Sequence, residues 1–346
     1  MSAPPRGASR ARTVLIACAC LGAALLLGAC GSKQDSISAP SAKDYPVMLD
    51  FFPNADHAAL YSAIAHGDFR AVGLNVQLQA PAEPAEPLKL LAAGRVQLAI
   101  SYEPELLLAR DQGLKLVSVA ALVQRPLTSI IALPARHIAS VAQLAGKRVG
   151  TAGIAYQAAE LKTALETAGV SPGSVHEANV GFNLIPAMLS GQVDATLGGF
   201  WNYEAIELRR MHKHPVVIPV DQAGVPTYDE LIVVAREDEA RSDGQDLRAF
   251  LQALTRGERE VRANPAAATS ILLAANPSLE RGLQLESIKQ TLPAAEPQEA
   301  GKPFGWQSPG AWAAFGRWML SHHLLKHDPA LGLPPFTNEF LPGQGI

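Results

Sequence analysis

Trp201, Tyr203 and Glu204 stand together in the run Gly198-Gly199-Phe200-Trp201-Asn202-Tyr203-Glu204, two flat aromatic faces and a carboxylate in a turn opened by glycine. Such a set can stack a planar ring and accept hydrogen bonds from donors on its edge. An aromatic heterocycle carrying amino groups answers that description. Further polar residues gather where apolar runs end: Asp50, Asn54, Asp56 and His57, with Phe51 among them, after the first run, and Ser101, Tyr102 and Glu103 after the third. Tyr156 follows Gly150-Thr151-Ala152-Gly153, and Asn183 follows Gly181-Phe182. Strand ends are where open α/β sheets hold ligands, so these segments are expected to aim polar groups at one region. Asp56, placed before an apolar-periodic stretch, reads first as a helix cap, and Asn183 is divided between cap and ligand contact. The two glycines of Gly150-Thr151-Ala152-Gly153 read as a tight turn, because the fuller dinucleotide fingerprint is missing.

Other chemistries fail on their residue patterns. There is no Gly-x-Ser-x-Gly elbow, no glycine-rich loop followed by Lys and Ser or Thr, and no His-Glu-x-x-His. The pairs His212/His214 and His323/His327 lack an accompanying carboxylate motif, so no metal and no cofactor is expected. His57, alone after a strand, reads as a hydrogen-bonded structural residue or a ligand contact. Met211, Trp306, Trp312, Phe315 and Trp318 read as packing for a C-terminal helical region.

The elements that would position these residues alternate in a regular way. Pro46 to Phe52, Leu74 to Leu78 and Val96 to Ser101 read as strands; Asp56 to His66, Pro87 to Ala93 and Glu103 to Asp111 read as helices. The pattern restarts after Pro134, with strands at Arg148 to Thr151 and Val193 to Leu197 and helices at Gln157 to Ala168 and Phe182 to Ser190. Val216 to Val220 and Leu231 to Ala235 are further strands, and the chain from Asp246 onward is nearly all helix. This is βαβ grammar, which implies mostly parallel sheets flanked by helices. Two α/β lobes are expected, with crossings near Thr128 to Leu133 and Val225 to Leu231. The expected lobes are 45–130 with 230–346, and 131–229, with the ligand cleft between them. The segment Pro81 to Pro87 reads as a surface loop.

Ahead of this body stand Arg6, Arg10 and Arg12 and an apolar run from Val14 to Leu27, too short to span a bilayer. Leu27-Gly28-Ala29-Cys30 then resembles a bacterial lipobox, in which the cysteine is acylated and becomes the new N-terminus. Residues 1–29 are therefore expected to be a lipoprotein leader, Cys30 the lipid anchor, and 30–44 a flexible tether. The only cysteines are Cys18, Cys20 and Cys30, which leaves the mature body without a disulfide or a thiol nucleophile. Taking the leader's three arginines from 29 basic residues leaves 26 against 32 acids, a formal charge of −6. An acidic exterior without clustered Lys and Arg argues against a nucleic-acid partner.

The ordered set from Leu49-Asp50-Phe51-Phe52-Pro53-Asn54-Ala55-Asp56-His57 through Ser101-Tyr102-Glu103-Pro104-Glu105, Gly181-Phe182-Asn183 and Phe200-Trp201-Asn202-Tyr203-Glu204 to Gly224-Val225-Pro226-Thr227-Tyr228-Asp229-Glu230 resembles the thiamine-pyrimidine synthase-like family, in its precursor-binding branch. The resemblance covers about residues 45 to 235. It implies a two-lobe, type II periplasmic binding protein that hands an aminopyrimidine precursor of thiamine to an ABC permease and its ATPase. Such a protein would be a monomer held to the membrane by its N-terminal lipid, and not an enzyme. The ligand contacts it implies are Asp50, Asn54, Tyr102, Glu103, Trp201, Tyr203 and Glu204, to which the reading of strand ends adds Phe51, His57, Tyr156 and Asn183. Phe51 stands where the family commonly has Trp, and Ala59 where it commonly has Gly. The same family includes a fungal enzyme that builds the pyrimidine from pyridoxal phosphate and a histidine. Its Schiff-base lysine would fall at Ser101, where a hydroxyl cannot form an aldimine. A carrier of a sulfonate, nitrate or riboflavin-like heterocycle is the other alternative.

Overall fold

The computed structural model describes residues 1–2, 42–242 and 244–344. The expected leader, the Cys30 anchor and most of the tether lie outside the described body. No helix among the described residues is long and apolar enough to cross a membrane.

Ten strands form two five-stranded sheets. The first sheet contains β1 (Lys43–Met48), β2 (Leu74–Gln79), β3 (Leu98–Ser101), β4 (Leu116–Val123) and β10 (Leu231–Arg236), in the order β2-β1-β3-β10-β4. The second contains β5 (Thr128–Ala132), β6 (Arg148–Thr151), β7 (His176–Asn179), β8 (Ala195–Phe200) and β9 (Val216–Pro219), in the order β7-β6-β8-β5-β9. The two sheets repeat one plan. In each, the first strand to arrive after a crossing inserts antiparallel to both neighbours: β10 between β3 and β4, and β5 between β8 and β9. The remaining strands all run one way, so each sheet is mostly parallel, as a βαβ pattern requires.

Two strands of the first sheet are buried along nearly their whole length. Val233 and Val234 of β10 and Val119 and Ala121 of β4 are fully buried, because helices cover both faces of the sheet and no polar alternation survives. The chain enters the first sheet at Lys43, where residues 43 and 44 pair with Leu74 and Asn75 rather than extending the tether. Thr128–Ala132 is a strand of the second sheet and not a crossing; the first crossing is 124–127. The second sheet thus begins ahead of the expected boundary at residue 131. The second crossing, 220–230, begins ahead of the expected Val225 and ends before Leu231, which is the first residue of β10.

The C-terminal helices belong to the first lobe. Helix Gly244–Ala263 lies on helix Ala58–Ala65, and Gly257 permits the approach, since a Cβ there would collide with the Ala59 carbonyl oxygen. Trp312, Phe315 and Trp318 on helix Pro309–Ser321 pack into the core as expected. Met211 does not: it is 42% exposed at the end of helix Glu204–Arg210.

Candidate functional site

The loops at the carboxyl ends of β1 and β3 face those of β6, β7 and β8 across a cavity. The first lobe contributes Asp50, Phe51, Asn54, Pro84 and Tyr102; the second contributes Tyr156, Gln157, Phe182, Phe200, Tyr203 and Glu204. Thr128, at the start of β5, lies on the floor between them. No Lys, Arg or His is among the lining residues.

Asp50 is fixed from two sides. His57 Nε2 lies 2.8 Å from Asp50 Oδ1, and the Tyr102 hydroxyl donates to Oδ2 at 2.9 Å. The Asn54 N–H donates to His57 Nδ1, which assigns the proton to Nε2 and makes the imidazole a donor to Asp50. Burial, then the neighbouring Asp50 charge, pushes the Tyr102 hydroxyl well above its ordinary range, so it stays a donor. Asn54 caps the short turn Ala55–His57 by accepting from the Asp56 N–H. The carboxylate of Asp50 is therefore oriented before any ligand arrives, with lone pairs left over.

Glu204 faces it from the other lobe and is held more loosely. Its Oε2 accepts from the Phe200 N–H at 2.7 Å, and burial pushes its carboxyl up to about 7. Tyr203 beside it accepts from Gln284 Nε2, and burial takes its hydroxyl up to about 12. Gly198 is needed at the wall: its φ is +108°, and a Cβ there would strike the Gln157 side-chain amide.

Of the residues singled out from sequence, Asp50, Phe51, Asn54, Tyr102, Tyr156, Tyr203 and Glu204 are brought together in the cavity wall. His57, Glu103, Asn183 and Trp201 are not part of that wall. His57 stands behind Asp50, fully buried. Glu103 accepts from the Asp229 N–H at 2.8 Å, which ties the end of β3 to the second crossing. The indole N–H of Trp201 donates to the Pro126 carbonyl at 3.0 Å and its backbone N–H to Leu127, so this ring is committed to the first crossing rather than offered to a ligand. Asn183 occupies the cap position of helix Leu184–Leu189 without a side-chain bond. Asp56 is neither cap nor contact: its Oδ1 accepts from Asn202 and Thr291, and burial pushes its carboxyl up to about 6.

Sequence reasoning passed over Phe182, Gln157, Phe200 and Thr128. Phe182 carried a usable signal, an aromatic directly after a glycine at a strand end, and Gly181 does adopt φ +56°. Pro84 lines the cavity from the segment read as a plain surface loop.

The crossings are held by a second acidic group. Glu230 is fully buried; its Oε2 accepts from the backbone N–H groups of Leu127 and Thr128 at 2.6 and 2.8 Å and from the Tyr228 hydroxyl, and its Oε1 accepts from the Thr128 hydroxyl. One side chain thus joins both crossings. Among the described residues no group of three or more His, Cys, Asp or Glu could hold a metal. The Ser101 hydroxyl donates to Glu105 at 2.6 Å, and the cavity wall has no lysine to bind pyridoxal phosphate covalently.

Two crossings, paired sheets of one plan and a cavity between them define the two-lobe, type II fold of solute-binding proteins. The alkanesulfonate-binding protein SsuA from Xanthomonas axonopodis pv. citri, bound to MOPS, superimposes with a TM-score of 0.65 at 16% identity, over 82% of this chain and 95% of that one. Residues 54–268 match the NMT1/THI5-like family model, and the chain belongs to that family. It is 36% identical to the formylaminopyrimidine-binding protein of Halalkalibacterium halodurans, over 84% of this chain and 89% of the relative. It is 23% identical to a 4-amino-5-hydroxymethyl-2-methylpyrimidine phosphate synthase of Legionella pneumophila, over 86% and 92%.

Proposed function

We propose that this chain is the substrate-binding lipoprotein of an ABC importer and captures a thiamine-precursor aminopyrimidine, of the hydroxymethyl or formylamino type, for delivery to the permease. The observation that carries the reading is the charge of the cavity wall: two carboxylates, Asp50 and Glu204, from opposite lobes, with aromatic rings between them and no cation. An aminopyrimidine presents a flat body and amino donors, which such a wall accepts. A sulfonate or nitrate would meet two acids and no counter-charge, at a cost in desolvation. The similarity to a formylaminopyrimidine-binding relative supports the same class of ligand. Against a synthase stands Ser101, whose hydroxyl offers no amine for an aldimine.

In this reading Asp50 and Glu204 accept from the amino groups, Tyr102 holds Asp50 in place through its hydroxyl, and Phe51, Tyr156, Tyr203 and Phe182 supply ring contacts. His57 positions Asp50, and Trp201 and Glu103 serve the crossings. The lobes close on the ligand and give the permease a shape present only when cargo is bound. Cys30 carries the anchor, and a Cys30→Ala variant is expected to lose acyl labelling.

Calorimetry with 4-amino-5-hydroxymethyl-2-methylpyrimidine and its formylaminomethyl counterpart tests the ligand. A dissociation constant of about 1 μM or tighter, near −8 kcal/mol, is expected for one of them. Glu204→Gln keeps the shape and removes the charge, and is expected to weaken binding about tenfold. No measurable heat with either pyrimidine overturns the reading.

A further inference from the structure

Three phenylalanines meet where the lobes come together at the outer edge of the cavity. Phe51 and Phe52 follow β1 in the first lobe, and Phe182 follows β7 in the second. The Phe182 ring lies 4.7 Å from Phe51, at 88° and edge to face, and 5.1 Å from Phe52; Phe51 and Phe52 are 5.1 Å apart. These are the distances of favourable aromatic pairs.

Their position relative to open space is the telling point. Phe51, Phe182, Leu184, Tyr203 and Glu204 line the inner cavity and also a groove on the outside, so the wall between the two is one side chain thick. Phe52 lines the outer groove alone and is 51% exposed, yet it touches both other rings. Phe182 follows Gly181, which has positive φ and donates its N–H to Asn179 Oδ1 at 2.9 Å, so the turn is held from its own lobe while the Phe182 ring reaches the other.

We propose that Phe182 is the gate of the cleft: wedged against Phe51 and Phe52 of the opposite lobe, it closes the passage from the outer groove to the cavity, and a bound ring escapes only when the three-ring contact parts. A gate closed by this contact slows the entry of a flat ligand as well as its escape. The inference rests on the cavity being the ligand site, but the contact itself does not require any particular ligand.

Phe52 separates the two questions, because it belongs to the gate without lining the cavity. Full-length wild type, Phe52→Ala and Phe182→Ala are compared in two measurements. In the ligand-free protein, hydrogen exchange of backbone amides in 181–184 is expected to quicken in Phe52→Ala, across the lobe boundary from the substitution, while amides of 124–128 stay as protected as in wild type. By stopped-flow fluorescence with 4-amino-5-hydroxymethyl-2-methylpyrimidine, koff is expected to rise about tenfold in both variants, and in Phe52→Ala kon is expected to rise with it, leaving the dissociation constant within about threefold of wild type. Unchanged exchange at 181–184 in Phe52→Ala, or a koff within about twofold of wild type there, overturns the gate. If wild type binds no pyrimidine at all, the ligand assignment fails by that result, and the exchange measurement still decides the gate.

Discussion

The two lobes are joined at opposite ends of the cleft by opposite kinds of chemistry. At the crossings, Glu230 accepts four hydrogen bonds, Trp201 donates two to the first crossing, and Glu103 holds the second, both carboxyl groups fully buried and Trp201 partly so. At the mouth the contact between Phe51, Phe52 and Phe182 is apolar, while farther along the boundary Tyr203 and Arg210 of the second lobe meet Gln284 and Glu280 of the first. Losing a buried hydrogen bond strands a donor in a dry place; parting an aromatic contact leaves no polar group unpaired and exposes carbon to water at modest cost. If Phe182 is the gate proposed above, the crossings would fix the axis about which that end opens.

The sharpest way to break that contrast is at Glu230. Glu230→Ala leaves the buried N–H groups of Leu127 and Thr128 without an acceptor and is expected to destabilise the protein by about 3–5 kcal/mol. Urea denaturation measures it; a loss under about 1 kcal/mol would make the crossings no firmer than the mouth.

Acidity comes next in size. Burial pushes Glu105, Glu204, Asp229, Glu230 and Glu258 up to about 7 and Asp56 up to about 6. In the folded chain these groups keep protons that the unfolded chain releases near pH 4 to 4.5, so the folded state binds more protons and stability falls as pH rises from about 4.5 to 7. The ligand-free protein is expected to melt several degrees higher at pH 5 than at pH 7.5, with roughly 2–4 °C for each kcal/mol. A melting temperature that climbs across that window contradicts the burial of these acids. Glu204→Gln should flatten part of the slope.

The smallest expected effect concerns Trp201. Trp201→Phe keeps a ring but removes the bond to Pro126, and is expected to cost about 1 kcal/mol of stability and leave pyrimidine affinity within about threefold. A large loss of affinity with unchanged stability would move Trp201 from the crossing to the ligand.

Trp201 also marks the limit of what a sequence can say about a site. An aromatic beside glycine at a strand end announces a ring near the cleft; whether the ring faces ligand or hinge is decided by Pro126, far away in the chain. Asp50, Tyr102 and Glu204 were legible because the ends of β1, β3 and β8 follow from apolar runs and the carboxyl ends of parallel strands converge. β6 and helix Glu103–Asp111 have the expected bounds for the same reason. β7 was not visible, since His176-Glu177-Ala178-Asn179 is an edge strand whose polar residues face water. β4 was missed for the contrary reason: Leu116–Val123 is buried on both faces, and such a run carries no period of its own. With β5 taken for a crossing, Thr128 and its tie to Glu230 were out of reach.

The insertion of β10 between β3 and β4 dictates an order of assembly. Residues 128–219 supply every strand of the second sheet in one unbroken stretch, so that sheet has all its partners as soon as residue 219 is made. The first sheet does not. Ile232 pairs with Ser101 on one side and Ala121 on the other, so β3 and β4 wait with bare edges until the intervening lobe has been synthesised. Long-range pairing of this kind is slow and leaves sticky edges exposed meanwhile. In pulse-labelled refolding, amides of β5, β6 and β8 should become protected before those of β3 and β4, and the nascent chain is most vulnerable to aggregation just before Leu231 emerges.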